Sequence, residues 1–177
     1  MIIHTPLKGV DIYLRCLSDD DVTEEYVNWM NNKKINQYME TRHQSWSLSE
    51  IKDYVNRQNM SGDQLFLGIF LFSGKHIGNI KLGVISTLHS LASISLFIGA
   101  LDCQGKGYSI QAINLLKYYV FHVLGLKKII AGMYADNTAS LKAFLKSGFQ
   151  LEGIFKNHYE LGNGKRTDIF QVGCLSQ

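Results

Sequence analysis

Gln104-Gly105-Lys106-Gly107-Tyr108-Ser109 lies between an apolar run ending near Ala100 and a helical run from Ile110 to Leu124. A strand, a tight glycine loop and a helix start, in that order, build an anion site. The first N–H groups of a helix have no intrahelical acceptor, and the helix dipole favours negative charge there. Two glycines let the backbone take positive φ and approach a ligand closely. The hexapeptide therefore reads as a cradle for a pyrophosphate.

Upstream of the loop, Leu65 to Phe72, His76 to Ser86 and Ala92 to Ala100 read as three consecutive strands. Ser73-Gly74-Lys75 makes a hairpin turn between the first two, and Thr87-Leu88-His89-Ser90 a second connection. Further back, Asp11 to Leu17 alternates as a first strand. Ser18-Asp19-Asp20-Asp21 then offers caps and first-turn acids for a helix through about Asn31, with Val22, Tyr26, Trp29 and Met30 as its apolar stripe. Ser47 with Glu50 fits a capping box for a helix to about Gln58. Between these helices Tyr38, Met39, Glu40, Arg42, His43 and Trp46 crowd an irregular segment. It reads either as a binding surface or as an aromatic loop with snorkelling charges.

Downstream, Ile110, Ile113, Leu116, Val120 and Leu124 recur near helical spacing, and Gly125 ends that helix. Lys128 to Tyr134 reads as a strand. Asp136-Asn137-Thr138 caps a short helix that Gly148 stops. Phe149 to Phe155, then Tyr159-Glu160-Leu161, a Gly162-Asn163-Gly164 turn and Asp168 to Leu175 complete a sheet. The order β-α-α-β-β-β-α-β-α-β-β predicts a mixed sheet with helices on both sides.

At 177 residues, 46% hydrophobic and 19% charged, the chain fits one globular domain spanning 1–177. No apolar run is long enough to span a bilayer, and the start of the chain lacks the pattern of a signal peptide. A cytoplasmic location is the default expectation. Cys16, Cys103 and Cys174 are odd in number and far apart, which argues against a disulfide framework or a zinc site. Cys103 abuts the glycine loop, but no activating base lies near it in sequence, so it reads as structural. A net charge of +3 suits an anionic ligand and is too weak to argue for nucleic acid. Neither a Gly-Lys-Ser/Thr nor a Gly-x-Gly-x-x-Gly after the first strand is present, which argues against other nucleotide folds.

The hexapeptide resembles the Gln/Arg-x-x-Gly-x-Gly/Ala signature of the GNAT acetyltransferases, with Ser109 where Gly or Ala is usual. Tyr134-Ala135-Asp136-Asn137-Thr138-Ala139-Ser140, then Gly148-Phe149 and Glu152-Gly153, resembles the tail of the RimJ/RimL-like branch of that superfamily. The element order is similar over nearly the whole chain. The resemblance implies the GNAT fold, α/β with a central, mostly antiparallel twisted sheet, splayed fourth and fifth strands, and helices on both faces. It also implies acetyl-CoA as acetyl donor, without a metal, and direct transfer of acetyl to a primary amine. By resemblance, the backbone from Gln104 through Gly105, Lys106, Gly107, Tyr108 and Ser109 holds the pyrophosphate. Phe97, Ile98 and Gly99 fall where the fourth strand meets the pantetheine and thioester, and an N–H there would polarise the carbonyl. Asn137 would bond the pantetheine while also capping its helix. Ser140 would lie near the coenzyme sulfur, although it also reads as an ordinary first-turn residue.

Two departures bear on mechanism. Many GNAT enzymes carry an acidic Tyr where this chain has Phe144, which leaves Ser140, Tyr134 or water to protonate the thiolate. Gln111 stands where the branch commonly has Glu. A base is also needed, since only a neutral amine attacks. Glu40, His43, Glu152, His158 and Glu160 are candidates, with Glu40 and Arg42 in the segment that lines the acceptor cleft of this fold. Asn157-His158-Tyr159 with Arg166 and Asp168 would flank that cleft. Arg42 and Arg166 as a cationic pair would suit an anionic acceptor such as a nucleotide-linked amino sugar. The readings that follow are a small-molecule amine acetyltransferase, a protein N-terminal acetyltransferase acting on a peptide N-terminus, and a silent acyl-CoA-binding module. A homodimer is an expectation from resemblance. Neither nucleic acid nor membrane is expected as a partner.

Overall fold

The computed structural model describes residues 2–161 and 164–176. Gly162 and Asn163 of the expected turn lie outside the described residues. The elements are β1 (Leu7–Lys8), β2 (Ile12–Cys16), α1 (Glu24–Asn31), α2 (Lys33–Asn36), α3 (Leu48–Met60), β3 (Leu65–Leu71), β4 (His76–Ser86), β5 (Leu91–Ile98), α4 (Tyr108–Tyr118), β6 (Lys128–Tyr134), α5 (Thr138–Lys146), β7 (Gln150–Glu160) and β8 (Arg166–Leu175). The eight strands form one sheet in the order β1-β2-β3-β4-β5-β6-β8-β7. Every pairing is antiparallel except β5 with β6, whose parallel crossover is supplied by α4. The expected mixed, mostly antiparallel sheet is present. The short β1 is an addition, so the fourth and fifth strands read from sequence are β5 and β6.

Strand alternation sorts the side chains onto two faces. Leu14, Leu67, Ile80 and Leu82 are fully buried on one face, beneath Ile113 and Leu116 of α4 and Val120 of the turn that follows it. The other face carries Phe66 and Phe70 and is covered by Tyr26, Trp29 and Met30 of α1 with Ile51 and Val55 of α3. The Ser47–Glu50 capping box forms as expected, with Ser47 N–H donating to Glu50 Oε2 at 2.8 Å.

Three local departures have identifiable causes. The helix expected from Ser18 is broken: Asp19–Asp21 form one 3-10 turn, and α1 restarts at Glu24 with Thr23 as its cap. Arg15 donates twice to Asp21, at 2.7 and 2.6 Å, and Ser18 N–H donates to the same carboxylate, which ties the turn to β2. The long helix after the glycine loop ends in a π turn, Tyr119–Val123, where Leu124 N–H reaches Tyr119 O. The gap expected after Phe155 is a bulge within β7, where Asn157 adopts φ 49°. Its N–H donates to Asp168 at 2.8 Å, and Arg166 donates to the carbonyls of Asn157 and His158.

His76 opens β4 inside an aromatic cage. It stacks on Phe70 at 4.8 Å and meets Trp29 and Tyr26 edge-on. Burial pushes its pKa below the ordinary histidine value. A histidine that resists protonation in the fold, but takes a proton near pH 6.5 when unfolded, stabilises the protein above that pH. That stability is lost as pH falls below about 6.5. Chemical denaturation between pH 7 and 5 should therefore show stability falling more steeply for the wild type than for His76→Gln. Parallel pH profiles would contradict the buried neutral imidazole.

Candidate active site

The pairing between β5 and β6 covers Leu91–Lys128, Ala92–Ile129 and Ser93–Ile130, and no register continues beyond it. Beyond Ser93 the strands diverge, and β6 stays with β8 to the level of Tyr134. A wedge thus opens in the middle of the sheet. Gly99 N–H donates to Ile77 O at 2.9 Å, on the β4 side. Successive strand residues turn their amides to opposite neighbours, so Ile98 and Leu96 face the opening. The Ile98 carbonyl accepts from Gln104 Nε2 at 2.8 Å, and among the described residues the β5–β6 ladder, which ends at Ser93, gives the Ile98 N–H no strand partner. Gly99 itself packs against Trp29, where an added Cβ would fall 2.1 Å from the indole.

The glycine loop sits at the mouth of this wedge. Gly105 and Gly107 adopt φ 74° and 85°. An added Cβ at either would meet open space, so backbone conformation and close approach, not internal packing, account for glycine there. Gly107 is the cap of α4 and offers no side chain, so the amides of Tyr108 and Ser109 have no side-chain cap. Lys106 is exposed beside them. Positive-φ glycines followed by uncapped amides at a helix start form a shape suited to an anion. Asn137 Oδ1 caps α5 by accepting from Ser140 N–H at 3.2 Å, which leaves Asn137 Nδ2 and Ser140 Oγ facing the cleft.

On the face covered by α1 and α3, a cleft of about 420 Å³ spans the wedge. Most of its strand residues share one face, with Phe66, Asn79, Lys81, Ser95 and Phe97 on one side and Gly132, Tyr134, Ile169, Gln171 and Phe155 on the other, while Ile94, Leu96 and Met133 of the opposite face reach it where the strands part. Tyr134 donates its hydroxyl to Glu40 Oε1 in a short hydrogen bond. Arg42 lies 3.6 Å from the same oxygen and 5.0 Å from the Tyr134 ring centroid. It also donates to Met39 O at 2.9 Å. Burial first, and then the Glu40 carboxylate, push the Tyr134 pKa up, with Arg42 opposing. Tyr134 therefore holds its proton, and Glu40 Oε1 is the carboxylate oxygen engaged by Tyr134 and Arg42, while Glu40 lines the cleft.

The remaining sequence candidates separate. His158 lines the cleft beside Tyr159, re-aimed there by the β7 bulge. Glu152 pairs with Lys128 at 2.8 Å, on β7 well away from the lining. His43 and Glu160 are exposed and outside the lining. Arg166 and Asp168 brace the bulge and are not cleft groups. Arg42 is spent on Glu40, Met39 and Tyr134, so an Arg42–Arg166 pair for an anion does not form. Phe144 is buried edge-on to Phe149 and presents no acid to the cleft. The Cys103 thiol is buried, and burial and then Asp102 push its pKa up, so it is no activated nucleophile. Sequence reading missed Asn79, Lys81 and Ser95, which look like ordinary outward residues of alternating strands. Among the described residues no group of His, Cys, Asp and Glu suited to a metal occurs, and no helix is long and apolar enough to cross a membrane.

Residues 11–150 match the acetyltransferase (GNAT) domain family. The probable N-acetyltransferase YjcK of Bacillus subtilis (strain 168) is 27% identical over 96% of this chain and 97% of its own length. Spermidine N-acetyltransferase from Vibrio cholerae, solved with CoA and spermine, superposes with TM-score 0.83 at 25% identity, over 95% of this chain and 97% of that one. The microcin C7 self-immunity acetyltransferase MccE, solved with acetyl-CoA and AMP, gives TM-score 0.81 at 24% identity over 94% of this chain and 93% of that one. The chain belongs to the GNAT acetyltransferase family and is an N-acetyltransferase with acetyl-CoA as its donor. Gly107→Asp places a strained backbone and a negative charge at the loop. It should weaken acetyl-CoA binding on the order of a hundredfold, read by calorimetry. An unchanged Kd would contradict the loop's role.

Proposed function

We propose that this chain, acting as one domain of the RimJ/RimL-like branch, acetylates the primary amine of a small molecule such as an amino sugar. The observation that carries the reading is the composition of the cleft. Its volume of about 420 Å³ suits a small ligand. Tyr38, Tyr134 and Tyr159 stand in a row with centroids 6.0 and 5.5 Å apart, which offers broad faces for a ring. Among the described lining residues Glu40 is the one carboxylate and Lys81 an opposing cation. A polycation of the spermine kind would want several carboxylates, so the likeness to a spermidine enzyme is carried by the fold more than by the cleft.

Acetyl-CoA supplies an activated thioester when bound. The chain's part is to hold it and to manage protons. The backbone from Gln104 to Ser109 would hold the pyrophosphate, Asn137 Nδ2 the pantetheine arm, and the Ile98 N–H would draw charge onto the thioester oxygen. Phe97 forms the wall beside it. Glu40, with Oε1 fixed by Tyr134 and Arg42, orients the incoming ammonium through Oε2 and passes its proton to solvent. Ser140 Oγ would relay a proton from water to the departing sulfur, taking one from the water as it gives up its own.

A thiol-release screen across amino sugars, polyamines and N-terminal peptides tests the acceptor class. Turnover is expected with amino sugars, and a peptide-only or spermidine-only response would contradict the reading. Binding with no turnover on any of them would favour a silent module. Ser140→Ala should lower kcat by about 10- to 100-fold while leaving acetyl-CoA affinity within about twofold. An unchanged kcat reduces Ser140 to a first-turn residue.

A further inference from the structure

Asn79 is 1% exposed on β4, yet it lines the cleft. His76 Nε2 lies 2.9 Å from both Gly78 O and Asn79 Oδ1. The Gly78 carbonyl can only accept, so Nε2 carries the proton. Asn79 must then present its oxygen to His76, which turns Nδ2 away from the ring. That Nδ2 is buried and makes no direct hydrogen bond among the described residues, with the Tyr26 hydroxyl, on whose pKa Asn79 acts, beside it at the cleft. A buried amide donor left without a hydrogen bond is costly unless a ligand or water meets it.

Two residues along the strand, on the same face, is Lys81. Its side chain lines the same cleft, its stem passing beside Gly83 towards Asp63, and among the described residues no carboxylate lies within ion-pair distance of it. Burial pushes its pKa down, with the charge of Asp63 opposing. Ser95 faces Lys81 directly across the β4–β5 ladder, and Phe97 faces Asn79. An amide donor and a hydroxyl thus share one patch on the β4–β5 side of the wedge, with a flexible lysine rooted between them. Continuing the register Ser93–Ile130 places Phe97 level with Tyr134, which holds Glu40 on the opposite side. The cleft is electrically polar, with donors and a cation on one wall and a carboxylate on the other.

We propose that Asn79, Lys81 and Ser95 form an anion subsite, and that the acceptor is a primary amine bearing a carboxylate or phosphate on the same molecule. The amine meets Glu40 beside the wedge, and the anionic group meets the donor patch. This rests on the small-molecule reading above and narrows it. The role imagined for Arg42 and Arg166 passes to Lys81, the cation of the lining that no carboxylate occupies.

Matched twins test it on the CoA-loaded protein by calorimetry: glucosamine 6-phosphate against glucosamine, and phenylalanine against phenethylamine. The charged member of at least one pair should bind about tenfold tighter or better, and whichever pair responds distinguishes phosphate from carboxylate. Lys81→Met should collapse that preference and Lys81→Arg should retain it. Equal binding of the twins in both pairs, or a preference that survives Lys81→Met, overturns the anion subsite and leaves the small-molecule reading standing. Spermidine or an N-terminal peptide binding tighter than every twin overturns both. The wild-type preference is read without any variant, so a misfolded Lys81→Met does not shelter the proposal.

Discussion

The parting of β5 from β6 after Ser93 and Ile130 is the constraint on which the rest depends. A parallel ladder that stops in mid-sheet leaves backbone groups of Leu96 and Ile98 unmet by a neighbouring strand. Such groups are costly to strand. Part of the cost is met internally, since Gln104 supplies a side-chain donor to the Ile98 carbonyl. The remainder offers a docking edge to a ligand that carries amides. The crossover that connects the two strands then delivers the glycine loop and the start of α4 to the mouth of the same opening. Coenzyme loop and opening are therefore consequences of one topological event.

The wedge also sets which residues can meet. The coenzyme loop opens the helix that packs on one face of the sheet, and the aromatic cleft lies on the other. The reacting groups meet only where the sheet is open. Tyr134 stands at that level, and its hydrogen bond ties the loop residue Glu40 to the end of β6. Arg42 fastens the arrangement by covering the ring and sharing the carboxylate. An exposed single ion pair is worth little. This one is combined with a phenol donor and a ring stack, and it fixes a position more than it adds stability. Phe144, sealed against Phe149, brings no acidic group to this level of the cleft.

Much of this was legible in the residues because the signals were local. Positive φ at Gly105 and Gly107 follows from loop chemistry, and the Ser47–Glu50 box and the Asn137 cap follow from spacing along a helix. The element order followed from periodicity. What stayed hidden depended on partners distant in sequence. The break before α1 exists because Asp21 turns back to Arg15. Arg42 looked free for an anion, and it is occupied by Tyr134, ninety-odd residues away. Asn79 and Lys81 looked like the outward half of an alternating strand. Only the sheet order shows that their outward face is the floor of a cleft, and only His76 fixes which way the Asn79 amide turns.

The most direct test is amide hydrogen exchange by NMR on the protein with and without CoA. Tyr108 and Ser109, at the start of α4, and Ile98, at the open edge of β5, should slow together on adding the coenzyme. Gly99 should barely change, because its N–H is already held by Ile77. Protection elsewhere, with Tyr108, Ser109 and Ile98 unmoved, would contradict a coenzyme seated on the glycine loop and threaded into the wedge.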